Sequence, residues 1–147
     1  MSKVLDATKI QARAVIPIVK ALEAEIGRER AHEIVGRAIG QSYIGVREQR
    51  GFELDSHPRT DDDGGLEFPV ERQIVEDSEQ RFGFNVTDCA FADYFRRIGD
   101  PEIGALMTCG VDFPAEARMR PGWTFERTQT RMQGAGYCDF RWRKKKC

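Results

Sequence analysis

The side chains able to do chemistry gather between Phe82 and Arg143. Cys89, Cys109 and Cys138 lie there, with Asp112 three residues beyond Cys109. The run Glu126-Arg127-Thr128-Gln129-Thr130 comes next, then a glycine turn and Cys138-Asp139-Phe140-Arg141. A thiolate is a nucleophile, a carboxylate can take a proton from a thiol or from water, and a guanidinium grips a substrate carboxylate with two parallel hydrogen bonds. Cys109 is the candidate nucleophile, because a helix giving way at Gly110 exposes side chains to a cleft; the alternative is a small buried hydrophobe. Asp112 is the candidate base, sharing the face of Cys109 if the segment is helical, or else the cap of a turn at Pro114. Glu126 is a second acid/base if it points inward and a surface carboxylate if it points outward. Arg127 offers carboxylate recognition, with a cross-strand salt bridge to Asp139 as the competing role. Thr128 and Thr130 are substrate hydrogen-bond donors or plain strand formers. Cys138 completes the polar set, and Tyr43, four residues before Arg47, reaches a pocket or belongs to the core beside a snorkelling arginine.

These residues need elements to position them. Residues 4–26 carry Ile10, Ala14, Val15, Ile18, Val19, Leu22 and Ile26 at helical steps, with Pro17 as a kink or the start of a second piece. Gly27 breaks the run, and a second amphipathic helix follows from about Arg28 to Arg50, stopped by Gly51. Residues 53–69 have no periodicity, so this long stretch is a functional or disordered loop. Its Asp61–Asp63 triplet lacks the ligand spacing of a calcium loop. His57 is either a base on a lid or an exposed histidine without a role. Val70 to Asp77 and Arg81 to Thr87 read as strands, the second by the strict alternation of Phe82, Phe84 and Val86. Thr87 or Asp88 then caps a helix to Ile98, Asp100-Pro101-Glu102 opens another, and a short piece runs from Pro114 to Met119. The chain closes with a hairpin in which Glu126, Thr128 and Thr130 share one face and Trp123, Phe125, Arg127 and Gln129 the other. The order predicts an α+β fold: an N-terminal helical pair packed with an antiparallel sheet that ends in a C-terminal β-hairpin.

At 147 residues the chain is expected to form a single domain: a helical part at 1–51, the loop at 53–69, an α+β part at 70–143 and a tail at 144–147. No run approaches the roughly 18 apolar residues of a membrane span, and the polar start lacks a signal-peptide core, so no membrane partner and a cytoplasmic location are expected. Residues 1–80 hold 11 Lys/Arg against 16 Asp/Glu, and residues 81–147 hold 12 against 8. A modestly basic second half suits an anionic small molecule. Much of that excess comes from Arg141, Arg143, Lys144, Lys145 and Lys146, and no aromatic–basic stripe points to nucleic acid. The four cysteines, 20, 29 and 9 residues apart, form no CxxC pair and read as reduced thiols.

Taken in order, four strings resemble the bacterial L-2-amino-thiazoline-4-carboxylic acid hydrolase family. They are Asn85-Val86-Thr87-Asp88-Cys89 leading into Ala92-Asp93-Tyr94-Phe95; Cys109-Gly110-Val111-Asp112; Glu126-Arg127-Thr128 with Thr130; and Cys138-Asp139-Phe140-Arg141. The resemblance covers residues 82–142 well and the N-terminal helices loosely, and Pro114, Pro121 and the 53–69 loop depart from the family pattern. It implies hydrolytic opening of a cyclic amidine-like ring on a cysteine-derived substrate that bears a carboxylate, giving N-carbamoyl-L-cysteine. The close of the chain is more distantly similar to vinyl-reductase-type small-molecule-binding domains, which makes a non-catalytic small-molecule- or zinc-binding module the alternative. Cys89, Cys109 and Cys138 with Asp112 or Asp139 would supply zinc-type ligands, but their spacing does not require a metal. No cofactor or metal is expected, and a homo-oligomer is left open.

Overall fold

The computed structural model describes residues 2–60 and 67–147, so the Asp61–Asp63 triplet lies outside the described residues. Helix α1 spans Lys3–Ile26 and α2 Arg28–Arg50. Gly27 stands between them with φ +84°, a conformation open to glycine and strained for other residues. Ser2 starts α1 by accepting the Leu5 N–H. Pro17 neither breaks α1 nor begins a new piece. It sits on the exposed side, where water can reach the carbonyl that its missing N–H leaves without an intrahelical partner.

The inner face of α1 differs from the expected stripe. Ala12 and Val19 are buried, whereas Ile10 and Ile18 are 66% and 59% exposed. Apolar residues lie on more than one side of this helix, so periodicity alone did not choose the packed face. Ala12 packs with Phe91, Ala92, Phe95 and Met132 in a core cluster.

Strand β1 (Val70–Asp77) and β2 (Arg81–Cys89) form a hairpin. Strand β2 runs past both expected caps, and Cys89 caps α3 (Ala90–Arg97) instead, its Sγ accepting the Ala92 N–H at 3.5 Å. Helix α4 (Pro101–Met107) follows. Its Asp100 makes no side-chain cap and pairs with Lys20 at 3.1 Å, tying α4 to α1. A 3₁₀ turn at Cys109–Val111 leads directly into α5 (Asp112–Met119), with Pro114 tolerated in its first turn. Strands β3 (Trp123–Glu126) and β4 (Cys138–Lys144) complete the sheet, whose order is β1-β2-β4-β3 with every neighbour antiparallel.

The architecture is α+β, as expected, with the helical pair first and β4 last. The closing hairpin is not tight: the β3 strand ends at Glu126, and residues 127–137 form a connection containing a 3₁₀ turn at Arg131–Gln133. Thr128 and Thr130 therefore do not continue the strand. The terminal segment is also tethered, since Lys145 donates its N–H to the Gly122 carbonyl and its ammonium to that of Pro121. One face of the sheet is apolar, with Phe82, Phe84, Val86, Trp123, Cys138 and Trp142 buried together. Among the described residues, no helix is long and apolar enough to cross a membrane.

Two glycines test this packing in opposite directions. A Cβ on Gly104 would lie 2.4 Å from Cγ of the fully buried Phe95, while one on Gly45 in α2 would meet nothing within 4 Å. Gly104→Ala is expected to destabilise by about 1–3 kcal/mol. Gly45→Ala is expected to stabilise by roughly 0.5–1 kcal/mol. Urea midpoints of the two variants check both signs.

Candidate active site

Helix α5 lies over the β3 side of the apolar sheet face and leaves a cavity of about 320 Å³ toward β1. Phe82, Phe84, Phe125, Phe140 and Trp142 make an aromatic floor. Asp112 and Glu116, one turn apart on α5, line it, as do Arg72 from β1 and Arg59 from the preceding loop. A second cavity of about 370 Å³, lined by Arg120, Thr124 and Lys145 among others, shares Glu116, Phe125 and Trp142 with the first. The first is the better reaction site, because it alone combines Asp112 with arginines carried on a different element.

The two carboxylates are held differently. Glu116 takes Arg120 Nη1 on both oxygens, at 2.7 and 2.9 Å, and the Trp142 indole N–H at 2.8 Å. It is consumed by structure. Asp112 Oδ2 accepts Arg127 Nη1 at 2.5 Å, while about a third of its side chain stays exposed at the cavity. Arg127 is only 5% exposed; its Nη2 donates to the Cys109 carbonyl at 2.9 Å, and its guanidinium stacks on Phe113 and Phe140. Its ion pair is thus with Asp112, not with Asp139 across the strands.

Of the residues singled out from the sequence, the structure brings Cys109, Asp112 and Arg127 together, and only Asp112 lines the cavity. Cys109 packs against the cluster around Phe95 and lies 3.5 Å from the Thr108 hydroxyl. Burial pushes its thiol up to about 11, against the smaller opposing effects of Thr108 and Arg127. At that value roughly one molecule in 10⁴ carries the thiolate at neutral pH. Cys138 is buried in the sheet core and accepts the Arg131 N–H, and burial raises its thiol pKa as well. Thr130 is buried and caps the Arg131–Gln133 turn. Thr128 donates its hydroxyl and N–H to Asp139 at 2.5 and 2.9 Å. Glu126 is exposed, on the face of β3 opposite Trp123 and Phe125. Tyr43 is half-buried on α2 and lines neither cavity.

His57 is not an idle exposed histidine. Its Nε2–H donates to the Ser78 carbonyl at 2.7 Å, its Nδ1 accepts the Arg59 N–H, and its ring meets Phe82 and Trp123 edge-on. With both nitrogens engaged it fastens the loop to the sheet. Among the described residues, no group of three or more His, Cys, Asp or Glu side chains could hold a metal ion. Sequence reasoning missed Arg72, Glu116 and the aromatic floor. The floor carried a usable signal, since Phe140 and Trp142 alternate as Phe82 and Phe84 do.

The family model of L-2-amino-thiazoline-4-carboxylic acid hydrolase matches residues 7–142. The chain belongs to that family. The match takes in both N-terminal helices and β1 as well as the region of the four strings, so Arg72 falls inside the family unit. No curated protein matches the chain.

Two measurements probe this family member's site. Burial alone would raise the Asp139 pKa, but the Thr128 hydroxyl and the Gln129 and Thr128 N–H groups together hold it below the ordinary carboxylate range. A depressed folded pKa contributes stability above the unfolded value that is lost as pH falls through the folded one. Because these bonds lie in solvent that screens them, Asp139→Ala is expected to cost no more than about 1 kcal/mol at neutral pH. The gap from the parent should close as pH drops below about 4; a gap that does not change with pH overturns this assignment. Iodoacetamide at neutral pH should label exposed Cys147 and spare Cys109, read by peptide mass spectrometry.

Proposed function

We propose that this protein hydrolyses a small 2-amino-thiazoline ring bearing a carboxylate, giving N-carbamoyl-cysteine, with Asp112 as the base that activates water. The observation that carries this reading is the placement of Asp112: its carboxylate is fixed by buried Arg127 at the wall of an aromatic-floored cavity. Family membership supports the reaction class.

The substrate carbon is sp², bonded to the ring sulfur, the ring nitrogen and an exocyclic nitrogen. Water bound against Asp112 gives up a proton to the carboxylate as its oxygen bonds to that carbon. The attack moves the carbon–nitrogen double-bond pair onto the ring nitrogen. That nitrogen takes up the proton of the adduct's hydroxyl as the oxygen becomes the carbonyl and the carbon–sulfur bond breaks. The proton on Asp112 then passes to the departing sulfur, leaving a free thiol and a carbamoyl nitrogen. One water is consumed and no redox partner is required. The flat ring lies on Phe84, Phe140 and Trp142, whose faces exclude bulk water from one side of the reacting carbon.

Attack by water is preferred to attack by Cys109, because a thiol held at about 11 within apolar packing is a poor nucleophile at neutral pH. Cys109 enters instead through its backbone, as the carbonyl that orients Arg127.

Incubation with the thiazoline acid, assayed for N-carbamoyl-cysteine, is expected to show turnover. Asp112→Asn, which keeps an oxygen for Arg127, should lower kcat/KM by about 10²–10⁴-fold. Cys109→Ala should retain turnover close to that of the parent. Abolished kcat in a folded Cys109→Ala protein would overturn the water mechanism, and absence of turnover by the parent would overturn the reaction.

A further inference from the structure

We propose that two copies of this chain associate through α1, packed antiparallel about a two-fold axis at Ala14. The association is independent of the reaction assigned above.

The first observation is what α1 leaves uncovered. Its packed side carries Ala12 and Val19, both fully buried. At about 100° per residue, the opposite side carries Lys3, Ala7, Ile10, Ala14, Ile18, Ala21 and Glu25, all within about 40° of Ala14. Every one of them is exposed. Ile10, at 66%, is the most exposed large apolar side chain among the described residues, and Ile18 is 59% exposed. One uncovered isoleucine is ordinary. Two on one helix face, with Ala14 between them and Ala7 and Ala21 beyond, make a continuous apolar strip about 20 Å long.

The second observation is that this strip is its own complement. Turned end for end about Ala14, each position meets the one equally far on the other side. Ile10 then meets Ile18, Ala7 meets Ala21, and Ala14 meets its own copy. Lys3, at the start of the helix, meets Glu25 near its end, so opposite charges close both ends of the seam. A parallel pair would instead set lysine beside lysine and glutamate beside glutamate, which repel. A partner of another kind needs no such symmetry, whereas a two-fold contact between identical chains requires it.

The third observation is steric. Ala7, Ala14 and Ala21 recur every seven residues, the repeat that holds one helix face against a neighbouring helix. Such small side chains let the two axes approach to about 8 Å. The Ile10–Ile18 pairs fill the levels between the alanines. One helix pair covers less than the roughly 1,600 Å² of a standard interface, so the dimer is expected in the micromolar range.

Sedimentation equilibrium from low micromolar to near-millimolar protein should show a reversible monomer–dimer equilibrium. Ile10→Lys combined with Ile18→Lys should weaken it by at least about 100-fold, with helical circular dichroism unchanged because both positions are exposed. Lys3→Glu alone should weaken it by about 3–10-fold, since the contact occurs twice in the dimer. Adding Glu25→Lys should restore the parental affinity. Neither charge change endangers α1, because an acid in the first turn and a base in the last suit the helix dipole. A parent that stays monomeric overturns the proposal, as does a dimer untouched by the isoleucine changes. A Lys3→Glu loss that Glu25→Lys does not rescue overturns the antiparallel seam. Should the isoleucine variant unfold, the charge series decides alone.

Discussion

The placement of α5 depends on one buried guanidinium. Arg127 leaves the end of β3, passes between the rings of Phe113 and Phe140, and ends on Asp112 and the Cys109 carbonyl. Removing such a charge from water costs several kcal/mol. The cost is offset only because a carboxylate, a carbonyl and two aromatic faces all meet the same group. Asp112 also stands in the first turn of α5, where the helix dipole favours a negative charge. One interaction thereby joins the 3₁₀ turn, α5 and the sheet, and it sets the wall of the cavity as a by-product of folding.

A second buried arginine acts in parallel at the other end of α5. Arg120, 1% exposed, pairs with Glu116 and donates Nε–H to the Ser56 carbonyl at 3.0 Å. Nearby, the Asp55 N–H donates to the Met119 carbonyl, and its carboxylate accepts the Gly122 N–H at 2.6 Å. Together with His57, these bonds fix the segment before Arg59 against α5 and the sheet. The loop that looked irregular in sequence is thus anchored on both sides up to the point where it contributes Pro58 and Arg59 to the cavity.

Much of this was legible in the residues. Gly27 and Gly51 bound the first two helices, the Phe82-Phe84-Val86 alternation marked β2, and Asp100-Pro101 opened α4. Asp112 and Arg127 were singled out, and they do meet. Their partnership was not legible, because it spans 15 residues and depends on how α5 settles on the sheet. Thr128 and Thr130 looked like strand residues because threonine fits a pleated surface. In the structure, Asp139 draws the backbone at Thr128 and Gln129 away from the ladder. Cys109 looked exposed because it lies beside a glycine, yet the turn there folds its sulfur inward. The side of the sheet that Arg72 takes was hidden for a stricter reason, a register shift between Glu71 and Arg72 in the β1–β2 pairing, which shifts again between Ile74 and Glu76. A bulge changes which face a side chain occupies, and no local pattern of β1 or β2 announces one.

The same broken pairing has an outcome at the edge of the sheet. Strand β1 is the outermost on its side of an open sheet, with Ile74 and Val75 largely uncovered, a combination that invites other chains to add strands. Its interrupted rhythm, together with the charges of Glu71, Arg72, Glu76 and Asp77, makes it a poor template for a straight incoming strand. Straightening the pairing to regular geometry would therefore put solubility at risk, so this edge protects the molecule from aggregation through its imperfection.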